Sequence, residues 1–189
     1  EGAIKEVSEL LDKLVKAVKT AEGASSGTDA IGEVVDNAGA AKVADKASVT
    51  GIAKGIKEIV EAAGGSEKLK VAAATGESNK GAGKLFGKAG AGANGDSEAA
   101  SKAAGAVSAV SGEQILSAIV KAAAAAEQDG EKPGDATNPI AAAIGNKDGD
   151  ADFGDGMKKD DQIAAAIALR GMAKDGKFAV KDGGEKGKA

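Results

Sequence analysis

No cysteine and no histidine occur among the 189 residues, and tryptophan and tyrosine are missing too. The first absence removes thiol nucleophiles, thiolate metal sites and disulfides. The second removes the usual general base, the commonest transition-metal ligand and the ordinary pH switch near neutrality. Phenylalanine is the sole aromatic, at Phe 3, and the formal net charge is −4. Nucleic acid is therefore not an expected partner, because phosphate binding needs clustered Lys and Arg and single strands need stacking platforms. Long apolar runs are also lacking. A bilayer span takes about 20 apolar residues, and QILSAIVKAAAAAEQ, residues 114–128, is shorter and carries Lys121. The opening EGAIKEVSELL has neither a basic start nor a long apolar run, so no signal peptide is expected and the sequence reads as a mature fragment.

What is present is alanine, nearly a quarter of the chain, Gly 29, and acids and lysines interspersed along the length. The mixed-sign surface is that of a soluble protein. The length suits a single domain over residues 1–189, whose core must be assembled from Ala, Val, Ile and Leu. Such small side chains bury less apolar area per helix, at about 25 cal/mol per Å².

Helical periodicity dominates. From Ala3 to Glu22, the residues Ile4, Val7, Leu11, Leu14, Val15 and Val18 recur three or four apart on one face. A second helix is expected from Ser48 to Ala63 with Ile52, Ile56, Ile59 and Val60 in its stripe, stopped by Gly64 and Gly65. A short helix is expected around Ile31, Val34 and Val35. Ser97 to Val110 forms another. SGEQ at Ser111 is a capping-box pattern that opens a helix running to about Gln128. Pro139 suits the first position of a short helix that Gly145 closes. The helix after Asp160 and Asp161 carries Ile163, Ala164, Ala165, Ala166, Ile167, Leu169 and Met172 around its whole circumference, which marks it as the central, enclosed one. Sustained two-residue alternation is absent, so the fold class is all-α, an irregular helical bundle with long Gly-, Asp- and Ala-rich loops.

Those loops hold the chemical candidates. NKDGDADFGDG, Asn146 to Gly156, places carboxylates at Asp148, Asp150, Asp152 and Asp155. An EF-hand needs Gly at its sixth position and Glu at its twelfth. Counting from Asp148 these are Phe153 and Lys159, and from Asn146 they are Ala151 and Met157. A solvated turn is favoured over weak calcium binding. GAGKLFGKAG fails the phosphate-loop pattern, because five or three residues separate its glycines and Ala89 follows Lys88. A flexible loop from Thr75 to Asp96 is expected, with one turn near Lys84 to Phe86 and with Lys80, Lys84 and Lys88 solvated. Arg170 is expected to pair with a carboxylate or to reach solvent past its stem. No spacing of Ser and Lys supports hydrolysis. Catalytic, cofactor-binding and metal residues are all expected to be none.

Two stretches carry a resemblance. MKKDDQIAAAIALRGMAKDGKFAVKDG, Met157 to Gly183, and the opening EGAIKEV resemble the variable large protein family of Borrelia surface lipoproteins, and SGEQILSAIVKAAA and NPIAAAIG resemble its framework. The resemblance implies a helical, non-enzymatic surface antigen that evades the host immune response by exchanging segments with silent cassettes. Host antibodies are its implied partners. It also implies attachment to the cell outer membrane through a lipid on a cysteine outside this chain, so that residues 1–189 read as the cassette region without its constant flanks. The loops Ala24 to Asp29, Thr75 to Asp96, Gln128 to Thr137 and Asn146 to Gly156 are then expected to change at little cost. An alternative is a surface adhesin that uses the same loops to hold a host protein or matrix component.

Overall fold

The computed structural model describes residues 2–25, 30–40, 43–125 and 128–189. Most of the first glycine-rich loop, residues 26–29, therefore lies outside the described residues. Helices α1 (Gly2–Ala24), α2 (Lys46–Ala62), α3 (Ser97–Ser108), α4 (Gly112–Ala123), α5 (Pro139–Ile144), α6 (Asp160–Met172) and α7 (Gly183–Lys186) carry the fold. Two-residue strands β1 (Val34–Val35) and β2 (Phe178–Ala179) pair in parallel, with Val34 opposite Phe178. The expected short helix around Ile31 to Val35 is thus not formed. Two adjacent valines favour extended backbone, and the pairing partner lies far along the chain.

Local chemistry sets most helix ends. Asp45 caps α2 through Ser48 N, Asp96 caps α3 through Ala99 N, and Asn138 caps α5 through the amides of Ile140 and Ala141. Ser111 and Gln114 form both halves of the capping box at α4. That helix ends at Ala123, earlier than the alanine run suggested. After α6 the residue with positive φ is Asp175, at 59°.

α6 is the hub. One of its sides, with Ala165 and Leu169, packs among Val49, Ile52, Ile119 and Ile144. The other, with Ile163 and Ala166, packs against Phe86, Phe153, Met157 and Val180. Ile163, Ala165, Ala166 and Leu169 have no exposed surface, while Ile167 is only half-buried. Asp160 and Asp161 at its start are buried as well. Asp160 accepts from Asn79 Nδ2 at 2.9 Å and Asp161 from Ala74 N at 3.2 Å, so this end of the helix ties down the segment before Lys80.

Arg170 does not reach solvent. Its side chain is fully enclosed, Nε donates to Lys177 O at 2.8 Å, and Nη1 donates to Ala143 O at 2.8 Å and Ile144 O at 3.1 Å. Phe86 lies beneath the guanidinium, 5.5 Å from ring centroid to Cζ. The carbonyls at the end of α5 have no helical donor of their own, and a forked cation serves two of them at once. Burial pulls the guanidinium down to about 10, which leaves it charged at neutral pH.

α1 and α2 pack antiparallel, with small residues at the crossing. A Cβ on Gly55 would stand 2.7 Å from Ala21 Cβ, and one on Gly51 would stand 2.5 Å from Ala24 Cβ. Ser48 then joins three elements, donating through Oγ to Ala24 O and accepting from Lys174 N at 2.9 Å.

Candidate antigenic surface

Three of the expected loops come together on one face. Segments 75–96, 128–137 and 146–156 are bonded to one another through their backbones. Phe153 N donates to Lys80 O at 2.8 Å, Lys88 N to Gly149 O at 2.9 Å, and Gly154 N to Pro133 O at 3.2 Å. Each bond spends a loop amide that water would otherwise satisfy, so the segments form one platform.

The glycine-rich segment is not the flexible loop its composition suggests. Lys80–Leu85 is a 3₁₀ helix, and Ala82, Leu85, Phe86, Ala89 and Ala93 are buried. Glycine serves here for close approach. A Cβ on Gly83 would lie 2.7 Å from both Ala151 O and Phe153 N, and one on Gly87 would overlap Gly149 O. Phe86 and Phe153 fill the space beneath, with Phe178 against the far edge of Phe86 at 5.6 Å between centroids. Sequence reasoning read these glycines as freedom; the signal that pointed the other way was Leu85, Phe86 and Phe153, the large apolar residues in otherwise small or polar stretches.

What the platform shows to solvent is polar. Glu131, Lys132, Asp135, Lys147, Asp148 and Asp152 are exposed. The four carboxylates first considered for calcium turn to four different partners. Asp148 meets Lys147 at 3.3 Å, Asp152 meets Lys84 at 3.5 Å and Asp155 meets Lys80 at 3.9 Å. Asp150 accepts from Asn94 Nδ2 at 3.2 Å. Lys80 and Lys84 are thus paired rather than merely solvated, although exposed pairs of this kind contribute at most about 1 kcal/mol. Among the described residues, no three His, Cys, Asp or Glu side chains are grouped so as to hold a metal ion. A separate cleft of about 450 Å³ lies between α4 and the start of α6, lined by Gln114, Lys121, Gln128, Asn138, Lys159 and Asp161 among others. Gln128 Oε1 is buried without a hydrogen-bond partner among the described residues.

Beside the platform, at the start of α3, the amide of Ser97 donates to Glu185 Oε2 at 2.7 Å. That bond holds the Glu185 carboxyl at about 2, well below its ordinary 4.5, and Lys188 pulls in the same direction. It also fastens α7 to α3. No single helix among the described residues is long and apolar enough to cross a membrane.

Comparison with known proteins adds the following. The model of the Borrelia lipoprotein family matches residues 1–189. Variable large protein 17 of Borrelia hermsii is 40% identical over 184 residues, which are 95% of this chain and 51% of that protein. Variable large protein 4 of the same organism is 38% identical over 184 residues, 93% of this chain and 51% of its own. The crystal structure of the Lyme disease variable surface antigen VlsE of Borrelia burgdorferi is 85% identical, with a TM-score of 0.95, over 100% of this chain and 65% of that one. The chain thus spans about half the length of the curated relatives it matches.

Proposed function

The chain belongs to the Borrelia lipoprotein family, and on that premise we propose that it is the variable part of an antigenic surface lipoprotein whose sequence is switched to escape host antibodies. The carrying observation is the platform. Its polar side chains point outward from a backbone fixed by buried phenylalanines and close glycine contacts, directly over the enclosed α6. Exposed side chains without buried partners can be exchanged for about 0.5 kcal/mol or less, whereas core changes cost several times more. Such a surface can change its chemistry while the scaffold stays folded. Attachment at the outer membrane belongs to the same reading, through an anchor outside residues 1–189. The reading is non-enzymatic, and its partners are antibodies.

The test is serological. Antibodies raised against the folded chain are measured against a version in which Glu131, Lys132, Asp135, Lys147, Asp148 and Asp152 are all replaced and whose circular dichroism spectrum is unchanged. Most of the binding is expected to be lost. Full retention would contradict the proposal, and a host ligand still bound by both versions would favour the adhesin.

A further inference from the structure

Of the five asparagines in the chain, four have their side chains tied to the backbone or to a buried group. Asn37 Oδ1 accepts from Ala40 N at 3.0 Å, Asn138 Oδ1 caps α5, and Asn146 Oδ1 accepts from Asp148 N at 3.0 Å. Asn79 Nδ2 donates to the buried Asp160. The residues that follow them, Ala38, Pro139, Lys147 and Lys80, carry a Cβ beside the backbone nitrogen, and proline has no N–H at all. Asn94 differs on both counts. Its side chain is exposed, and the next residue is Gly95, which has no Cβ to crowd its nitrogen. Among the described residues the peptide unit joining the two is unbonded, at the Asn94 carbonyl and at the Gly95 amide alike. Turning that unit toward the Asn94 side chain therefore breaks no backbone hydrogen bond. What the side chain does hold is the platform edge, since Nδ2 donates to Asp150 O at 3.3 Å and to Asp150 Oδ2 at 3.2 Å.

We propose that Asn94 is a self-modifying site, at which the chain converts its own asparagine to aspartate and isoaspartate and so unfastens segment 146–156 from segment 75–96. The nucleophile is the Gly95 nitrogen. It gives its proton to solvent base and forms a bond to Asn94 Cγ, the bond from Cγ to Nδ2 breaks, and the amide nitrogen takes a proton from water and leaves as ammonia. A group already held beside its target reacts at a high effective concentration, so the step needs no enzyme. The cyclic imide that remains takes up a water molecule. Opening at Cγ gives aspartate, and opening at the main-chain carbonyl gives isoaspartate. In total a water is consumed, an ammonia is released and nothing is oxidised. Either product sets a new carboxylate against Asp150, so that repulsion replaces a hydrogen bond. Isoaspartate also adds a carbon to the backbone immediately before Gly95, whose carbonyl is held by Lys181 N at 2.8 Å, and before Asp96, which caps α3. The outward face thus changes charge and shape with no change in the gene. That this alters recognition by antibodies rests on the reading of the platform as their target.

The folded 189-residue chain is aged in neutral and in mildly alkaline buffer. Peptide mass spectrometry follows the change from amide to acid at each asparagine, and enzymatic methylation counts isoaspartate. Asn94 is expected to convert at least about tenfold faster than Asn37, Asn79 or Asn146, and faster at the higher pH, because the attacking nitrogen must lose its proton. Amide exchange across residues 146–156 is expected to quicken in the aged parent and in fresh Asn94→Asp, and to stay unchanged in aged Asn94→Gln. An Asn94 rate no higher than that of the other asparagines would overturn the proposal. So would full conversion that leaves the exchange of 146–156 as it was. Conversion with quicker exchange but with antibody binding intact would support the site and count against the antigenic reading alone.

Discussion

Phe86 and Phe153 meet edge to face, with ring centroids 5.0 Å apart and planes at 65°. Each comes from a different glycine-rich segment, and together they pin the two segments over α6. Replacing Phe153 with Ala is expected to cost about 3–5 kcal/mol, and Gly83→Ala about 1–3 kcal/mol by overpacking. Asp148→Ala, on the outer side of the same segment, is expected to stay within about 0.5 kcal/mol of the parent. Urea midpoints of the three variants check this ordering.

Gly55→Ala reverses an ordinary rule. In an exposed helix the change stabilises by about 1 kcal/mol, but here the new Cβ meets the backbone and Cβ of Ala21 at 2.7–2.8 Å. The variant is expected to lose stability and to release α1. Amide exchange in α1 should rise more than in α6, and unchanged protection of α1 would refute the crossing.

Arg170→Met keeps the volume of the side chain but removes the donor that serves the carbonyls of Ala143 and Lys177, while Ile144 O keeps its bond from Ala44 N. A loss of at least about 2 kcal/mol is expected from the unsatisfied acceptors. Arg170→Lys should recover only part of it, since an ammonium lacks the planar fork. Thermal melting of the two variants side by side gives the answer.

Glu185 supplies a pH signature. Its folded-state value, about 2, lies below the ordinary 4.5 because Ser97 N–H bonds the carboxylate. A depressed carboxyl binds fewer protons folded than unfolded, so its contribution is present above pH 4.5 and is lost as pH falls toward 2. Glu185→Gln should flatten that part of the stability profile. Denaturant titrations at pH 7, 4.5 and 2.5 would expose an unchanged slope, which would disprove the assignment.

The enclosure of α6 has an immunological consequence. Antibodies to the peptide of residues 160–172 should bind the unfolded chain and fail on the folded one, because nine of the 13 residues of that helix are buried and the other four are only partly accessible. Equal binding to both forms would mean that the helix is accessible.

The caps at Ser111 and Pro139 and the enclosed character of α6 were legible because each depends on residues within one turn of each other. The packing of residues 75–96 was not, since glycine looks the same in a sequence whether it permits motion or admits a neighbouring backbone. Periodicity showed that α1 is apolar along Ile4 to Val18 but could not say which half of the arc α2 covers, and the larger half proved to be the bare one. β1 was missed because Val34 finds its partner at Phe178, a contact no local window contains. That Arg170 would stay out of solvent was not legible for a similar reason. The carbonyls of Ala143, Ile144 and Lys177 that it meets lie on segments that only the fold brings together.

The central claim is that exchange is confined to outward positions on a fixed frame. Sequencing the expressed copy from a clonal population, before and after passage through an immune-competent host, tests it most directly. Changes are predicted at positions such as Glu131, Lys132, Asp148 and Asp152, with Gly83, Phe86, Gly87, Phe153 and the buried residues of α6 retained. Changes spread evenly over buried and outward positions, or no change at all, would contradict the account.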